Sequence, residues 1–457
     1  MSILENRRPW KVVALVCICL PFGACNVKDQ LLEPQNPGLV DPSAVNSPDA
    51  ADALRIGALG SLRNVTAGSE SLWMYGGLLT DEWKSSDTFL QRNETDQRAI
   101  QTNNGNINGA YNGIQQARGF IRDAIEQMDK YLPDAKGNRG ELYFALGFIE
   151  MQMAEDFCNG IPLALSRNGL IDYSDPGYTP LTNAEVYVRA AAHLDSALTL
   201  AGAQTDAHSV AVKQAALIGK ARVLVDQGKF TEAAALVPAS AVPTSYQYLL
   251  SFAQTSGDNQ IWSLNTNQGR YTVADSFDAS GVIKNAIPFL SAKDPRVPVA
   301  DPKKKGFDGQ TNLFNFNIQR SDPAPLVSGI DARLIEAEAK LSTGDFAGMM
   351  TILNALRTSV QTIGSLKTTA MATLPTPASK DAATTLYFRE KALWTFSRGQ
   401  RLGDERRQVR QYGRSQDQVF PTGPFHKNGV YGIDVNLPVT DSEKTNPNFK
   451  GCLDRNA

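Results

Sequence analysis

Two short stretches of this chain gather rings and hydrogen-bonding groups. Trp73, Tyr75 and Trp83 fall within Ser71 to Asp87, among Asp81, Glu82, Lys84, Ser85, Ser86 and Asp87. Trp262, Tyr271 and Phe277 lie beside Asn265, Asn267, Gln268 and Arg270. A flat ring gives a sugar's C–H face or an apolar peptide side chain a large contact at low entropy cost, and neighbouring amides and acids fix hydroxyls. The chemistry suggested is binding, with Trp83, Trp262, Tyr271, Trp73, Tyr75 and Asp81 as candidate ligand contacts. The competing reading puts each ring in the core, because tryptophan is highly buried on average.

Catalytic patterns are missing. There is no nucleophile elbow, phosphate-binding glycine loop, dinucleotide fingerprint or metalloprotease helix. Gly76-Gly77 is a bare dipeptide between Tyr75 and Leu78. Asp81-Glu82 could be imagined as half of a glycosidase pair, which needs two carboxyl groups facing across a cleft. Nothing in the sequence sets any two acids at that separation, and adjacent acids more often cap a helix or face solvent. The three histidines, His193, His208 and His426, are scattered, which argues against a histidine-rich zinc site. A carboxylate-only calcium site stays open. The expectation is a protein that is not an enzyme and holds no cofactor and no metal. A net charge of -2 gives no long-range field to gather nucleic acid.

The chain opens with Arg7, Arg8 and Lys11, then an apolar run from Val12 to Phe22 ending in Gly23-Ala24-Cys25. That run is shorter than the ~20 residues of a membrane span and fits an export signal. Small residues before a cysteine look like a bacterial lipobox, which suggests cleavage ahead of Cys25 and acyl chains placed on this new N-terminal residue. An ordinary signal peptide with an incidental cysteine is the alternative. The expected organisation is a signal over 1–24, a Pro/Asn-rich lipid-anchored tether over 25–50, and one helical domain over 51–457. Without the signal and Cys25, Cys158 and Cys452 remain; two cysteines so far apart are no disulfide framework. They are read as free thiols, with pairing in an oxidising compartment as the alternative.

The elements behind the rings are mainly helices. Apolar stripes at helical spacing run through Ile114, Ala117, Ile121, Ala124, Ile125 and Met128, and through Leu142, Ala145, Leu146, Ile149, Met153 and Phe157. A third is read at Val188, Ala191, Leu194 and Leu198. Gly228-Lys229-Phe230 and Gly344-Asp345-Phe346 each separate two helical patterns, with small residues ahead and an aromatic wedge after the turn. This resembles a tetratricopeptide hairpin. The copies are too far apart for a tandem array. Pro243 to Pro325 lacks helical periodicity and reads as an irregular insert able to carry a binding surface. Thr362 to Ala382 reads as a surface loop, and Val435 to Val439 as an extended piece laid on the body.

Several motifs together resemble the SusD/RagB family of outer-membrane nutrient-binding lipoproteins. Leu31-Leu32-Glu33-Pro34 follows the cysteine, and Lys28-Asp29 is similar to a surface-export signal. Tyr111-Asn112-Gly113-Ile114, with Ala117 after it, is similar to the helix that opens the family's core. Phe157-Cys158-Asn159-Gly160-Ile161-Pro162-Leu163 resembles its aromatic–Gly–Asp–hydrophobic–Pro–Leu stretch, with an Asn-Gly departure. Lys293-Asp294-Pro295-Arg296 resembles its Asp-Pro-Arg element, and Ile335-Glu336-Ala337-Glu338-Ala339 its Ala-Glu-Ala helix. Arg389-Glu390-Lys391, Arg401-Leu402-Gly403-Asp404-Glu405-Arg406-Arg407 and Asn436-Leu437-Pro438-Val439 with Glu443 and Thr445-Asn446-Pro447-Asn448 resemble its C-terminal signatures. The resemblance implies a mainly α fold, an α-α superhelix with tetratricopeptide-like hairpins and irregular binding loops. It further implies capture of oligosaccharides, or peptides in some members, for a SusC-like TonB-dependent receptor at the cell surface. A lipid-anchored glycan hydrolase and a helical-repeat protein adaptor are the rival functions.

Overall fold

The Pro/Asn-rich character ends where the first long helix is capped. The computed structural model describes residues 45–164, 173–174 and 176–457. The export segment, Cys25, Lys28-Asp29, Leu31 to Pro34 and most of the expected tether lie outside these residues. Ser47 caps α1 (Pro48–Asn64) by accepting a hydrogen bond from the Ala50 N–H, and proline at the helix start loses no needed donor. After α2 (Leu72–Leu79), β1 (Trp83–Ser85) and α3 (Leu90–Asp96) come α4 (Gly105–Tyr131), α5 (Lys136–Asp156), α6 (Asn183–Gly202), α7 (Ala207–Asp226) and α8 (Phe230–Leu236). The chain continues through β2 (Gln247–Leu250), β3 (Tyr271–Val273) and β4 (Ala324–Ser328). It closes with α9 (Gly329–Ser342), α10 (Phe346–Thr358), α11 (Lys380–Trp394) and α12 (Arg401–Tyr412).

Helix α5 is the centre, packed by α1, α4, α6 and α7. The first two apolar stripes are buried as the periodicity requires. The third is not: Val188 is 64 % exposed, and the buried face of α6 runs through Val186, Tyr187, Ala190, Leu194, Ala197 and Ala201. Close helix approach selects that face. A Cβ on Gly147 would stand 2.7 Å from Leu194 Cγ and 2.9 Å from the Ala190 carbonyl oxygen, and one on Gly140 would meet Ala197 and Ala201. Small residues on α6 lie against glycines on α5, and hydrophobicity summed by period is blind to that fit.

Both expected hairpins form. Gly228 and Gly344 take φ of 74° and 80°, the left-handed conformation that closes a helix at no Cβ cost. Phe230 and Phe346 begin the following helices and are half-buried at the edge of the core. The two hairpins are distant in sequence yet adjacent in space, since α9 packs on both α7 and α8. The insert is therefore looped out between neighbouring repeats. Antiparallel pairing of β2 with β4, Gln247 opposite Ser328, closes its base.

The joints between helices are ionic. Helix α12 carries buried Arg401, Asp404, Glu405, Arg406 and Arg407, which would be costly without partners. Arg407 pairs with Glu338 and Asp404, Lys391 with Asp404 at 2.6 Å, and Arg401 with Asp81 at 2.7 Å. The Arg406 guanidinium donates to the carbonyls of Ala154, Glu155 and Phe157, satisfying the C-terminal end of α5. Arg296 joins Asp294 to Glu390, and the Tyr111 hydroxyl donates to Glu443 at 2.8 Å. The motifs read from sequence are thus largely the two ends of buried contacts.

Cys158 and Cys452 form a disulfide, which corrects the reading of free thiols. The extended tail places them together: Leu437 N–H donates to the Asp156 carbonyl and Cys158 N–H to the Leu437 carbonyl, each at 2.8 Å. Val435, Leu437 and Val439 are buried, so the tail lies on the body as expected.

Candidate functional site

Strand alternation decides what reaches solvent beside β1 and β3. The two pair antiparallel, with Trp83 opposite Val273, Lys84 opposite Thr272 and Ser85 opposite Tyr271. Successive side chains point to opposite faces. Lys84 and Thr272 border a cleft of about 740 Å³, and the rings of Trp83 and Tyr271 point away from it into the core.

The rings singled out in the sequence therefore take a different role. Trp83 is 0 % exposed, 5.2 Å from Phe396 and edge-on to Tyr271, with its indole N–H donated to Ser397 Oγ. Gly77 makes room for it, since a Cβ there would lie 2.5 Å from Trp83 Cδ1. Gly399, at φ 65°, does the same for buried Trp73. Tyr75 is buried, and the Tyr271 hydroxyl donates to Glu70. Asp81 is buried and held by the Arg401 fork at 2.7 and 2.9 Å. Trp262 is half-buried with the Arg320 guanidinium 5.9 Å from its ring centre, outside the cleft lining. None of the six candidates lines the cleft, because the rings and Asp81 serve as core and joint. Cys25 lies outside the described residues.

Four segments meet at the cleft. Lys84, Asp87, Thr88 and Asn93 come from β1 to α3. Asp275, Phe277, Asp278 and Leu290 follow β3. Lys305, Asp308, Gln310 and Asn312 lie deeper in the insert, and His426 to Asn428 arrive from the tail. Phe277 is 55 % exposed and offers its ring to solvent. It was read with the insert's other aromatics, whereas the tail and Asp308 to Asn312 escaped sequence reading. Their signal was local: an Asp-Gly turn in which Asp308 Oδ1 accepts from the Gln310 and Thr311 N–H groups, with Gly309 at φ 69°.

Charges in the cleft are tied to one another. Lys84 pairs with Asp278, and Lys427 with Asp308 at 2.7 Å. Asp87 accepts from Arg92 at 2.5 Å and Arg270 at 2.8 Å. Burial pushes the Asp308 carboxyl up, but Lys427, Thr311 and two backbone N–H groups outweigh it and hold the group down at about 2. Asp278 and Asp87 are held below the carboxylate range in the same way, by Lys84 and Ser280 and by Arg270 and Arg92. Glu82 behaves oppositely behind the cleft: burial, joined by the Asp81 charge, pushes it up to about 8 despite the Ser397 N–H and Arg401. Among the described residues no group of three or more His, Cys, Asp or Glu side chains is arranged to hold a metal ion.

The geometry is a helical-hairpin scaffold whose looped-out insert meets β1, α3 and the tail around a polar cleft. No family model matches the chain, and no curated protein matches it in sequence. Solved structures do match. A SusD-like protein from Bacteroides fragilis superposes with a TM-score of 0.64 at 13% identity, over 91% of this chain and 98% of its own. A laminarin-binding SusD-like protein gives 0.63 at 14% over 90% and 100%. A SusD-like carbohydrate-binding protein from Bacteroides vulgatus gives 0.57 at 13% over 89% and 98%. The chain has the SusD-like fold, as its motifs implied.

Proposed function

We propose that this chain is a surface lipoprotein that captures oligosaccharides and passes them to a TonB-dependent receptor, anchored in the outer membrane by lipid on Cys25. The observation that carries the reading is the open, preorganised cleft, rich in amide, hydroxyl and paired ionic groups around an exposed phenyl ring. Two of the similar folds are described as laminarin-binding and carbohydrate-binding. A binding role is further supported by the cleft acids. A glycosidase needs one carboxyl kept protonated near neutral pH. Asp87, Asp278 and Asp308 are instead held ionised, and Glu82, which is pushed up, is fully buried and outside the cleft lining. The disulfide fits a chain that matures in an oxidising compartment.

Calorimetric titration of the full chain in detergent with laminarin and a panel of plant and microbial glycans should give saturable binding without hydrolysis. Lys84→Ala, which also frees Asp278, should weaken it by ~10-fold, or ~1.4 kcal/mol. Absence of binding across the panel rejects glycan capture. Mass spectrometry should find acyl chains on an N-terminal Cys25, and mild extraction should co-purify a barrel receptor. A mature terminus elsewhere removes the anchor, and isolation without a barrel under conditions that preserve such complexes removes the uptake partner.

A further inference from the structure

The way the cleft spends its charges carries an inference about the ligand, one that rests on the glycan reading above. Lys84, Lys427, Asp278 and Asp308 are paired with each other, and Asp87 is shared by two arginines. Among the described residues, two further charged groups of the lining, Asp275 and Lys305, have no ionic partner. Asp275 accepts from the Ser291 hydroxyl at 2.9 Å and the Ser276 N–H at 2.8 Å, and Lys305 donates to Asn312 Oδ1 at 2.6 Å. They are opposite in sign, so no net charge is left for a charged ligand to neutralise.

The amides behave in the opposite manner. Gln310 and Asn428 line the cleft, are exposed, and have side chains with no hydrogen bond among the described residues. Asn93 Oδ1 accepts from the Ser85 hydroxyl, and among the described residues no hydrogen bond engages the Asn93 NH₂. An amide both donates and accepts, which matches a hydroxyl, itself donor and acceptor. A carboxylate or sulfate would instead call for a free arginine or paired lysines, whereas Lys84 and Lys427 are held in ion pairs and the one remaining lysine of the lining, Lys305, is bound by Asn312 Oδ1 and offset by Asp275.

We infer that the cleft selects uncharged, hydroxyl-rich oligosaccharides over acidic and amino sugars, with Gln310 and Asn428 as specificity-determining contacts. Desolvating an acidic sugar beside already paired charges would cost more than its new contacts return. Preference for a neutral ligand also makes affinity nearly independent of salt, since no long-range attraction contributes.

The test titrates the full chain in detergent with three series: neutral gluco-, xylo- and manno-oligosaccharides, oligogalacturonates, and chitosan oligosaccharides. Each is run at ~50 and ~500 mM NaCl. Expected are binding of at least one neutral series, a less than ~2-fold change with salt, and ~10-fold or weaker binding of both charged series. Gln310→Ala with Asn428→Gly should lower neutral-sugar affinity by ~10-fold with a melting temperature close to wild type, because neither side chain bonds to the protein and glycine keeps the left-handed backbone at 428, φ 80°. Preference for a charged series, strong salt dependence, or an unaffected double variant overturns the inference and leaves glycan capture standing. If no series binds while a neutral peptide library does, both readings fall.

Discussion

The α4–α7 helices and the walls of the cleft hold their segments together with a different balance of close apolar packing and ion pairs. Where these helices approach most closely the contacts are small and apolar: Gly140 and Gly147 admit the backbone of α6, and Gly219 lies against Leu194, with buried pairs such as Arg118–Glu150 and Arg222–Glu155 set alongside. Around the cleft and its supports the contacts are ionic and join residues more than a hundred positions apart, such as Asp81 to Arg401 and Asp308 to Lys427. Dispersion packing is tolerant of gradual change but not of added volume. A buried ion pair tolerates little, because losing one partner strands the other. The helical frame should therefore fail by crowding and the cleft supports by orphaned charge.

Arg401→Ala should give the largest effect. It leaves Asp81 and Glu405 buried without their shared cation, and ~3–5 kcal/mol should be lost in urea denaturation. A loss below ~1 kcal/mol would mean the ionic supports are dispensable. Gly147→Val tests the frame and should cost ~3 kcal/mol, since the new Cβ meets Leu194 and the Ala190 carbonyl. Glycan affinity of the folded fraction should stay near wild type, which separates frame from cleft.

The pH response sharpens the contrast. Glu82 is raised in the folded state to about 8, and Asp156, buried at the end of α5, to about 7. Between the ordinary carboxylate range and those values the folded state binds more protons than the unfolded one. Stability should accordingly fall as pH rises, by ~3 kcal/mol or more between pH 6 and 8. Glu82→Gln should flatten part of that slope with little cost at pH 6, where the carboxyl is already protonated. Asp308, depressed to about 2, works in the other sense: its contribution is present above the unfolded carboxylate pKa and is lost as pH falls toward 2. A stability profile that rises from pH 6 to 8 would refute the buried-acid account.

Phe230→Ala is the mildest change. The ring is half-buried and 6.2 Å from Tyr412, so ~1–2 kcal/mol is expected, less than for a fully enclosed wedge. A loss near 4 kcal/mol would show that hairpin edges carry more of the frame than their exposure indicates.

The frame was far more legible in the sequence than the cleft. Glycine, aromatic and small-residue spacing are local signals, and they located both hairpins and two of three helix stripes. The α6 stripe failed at Val188 because its face is chosen by fit against glycines on another helix. Around the cleft the sequence pointed to two of the segments that border it, but to side chains that face the core. Trp83 and Tyr271 stand next to Lys84 and Thr272, and a period of two turns that one-residue offset into the difference between core and solvent. Asp308, Gln310 and His426 to Asn428 could not be joined to Lys84 by any sequence pattern, since their proximity is a product of the fold. The disulfide was hidden for the same reason.

That disulfide also changes what a cut would do. It links Cys158 to Cys452 across 294 positions, a span that holds the exposed turns of the insert and the loop ahead of α11. A protease would strike those exposed loops first, yet one cut within the span leaves both pieces covalently joined. Most of the cleft-forming segments are inside the ring so closed. A nicked molecule would run as one band without reductant and two with it, and could keep its cargo bound while apparently broken.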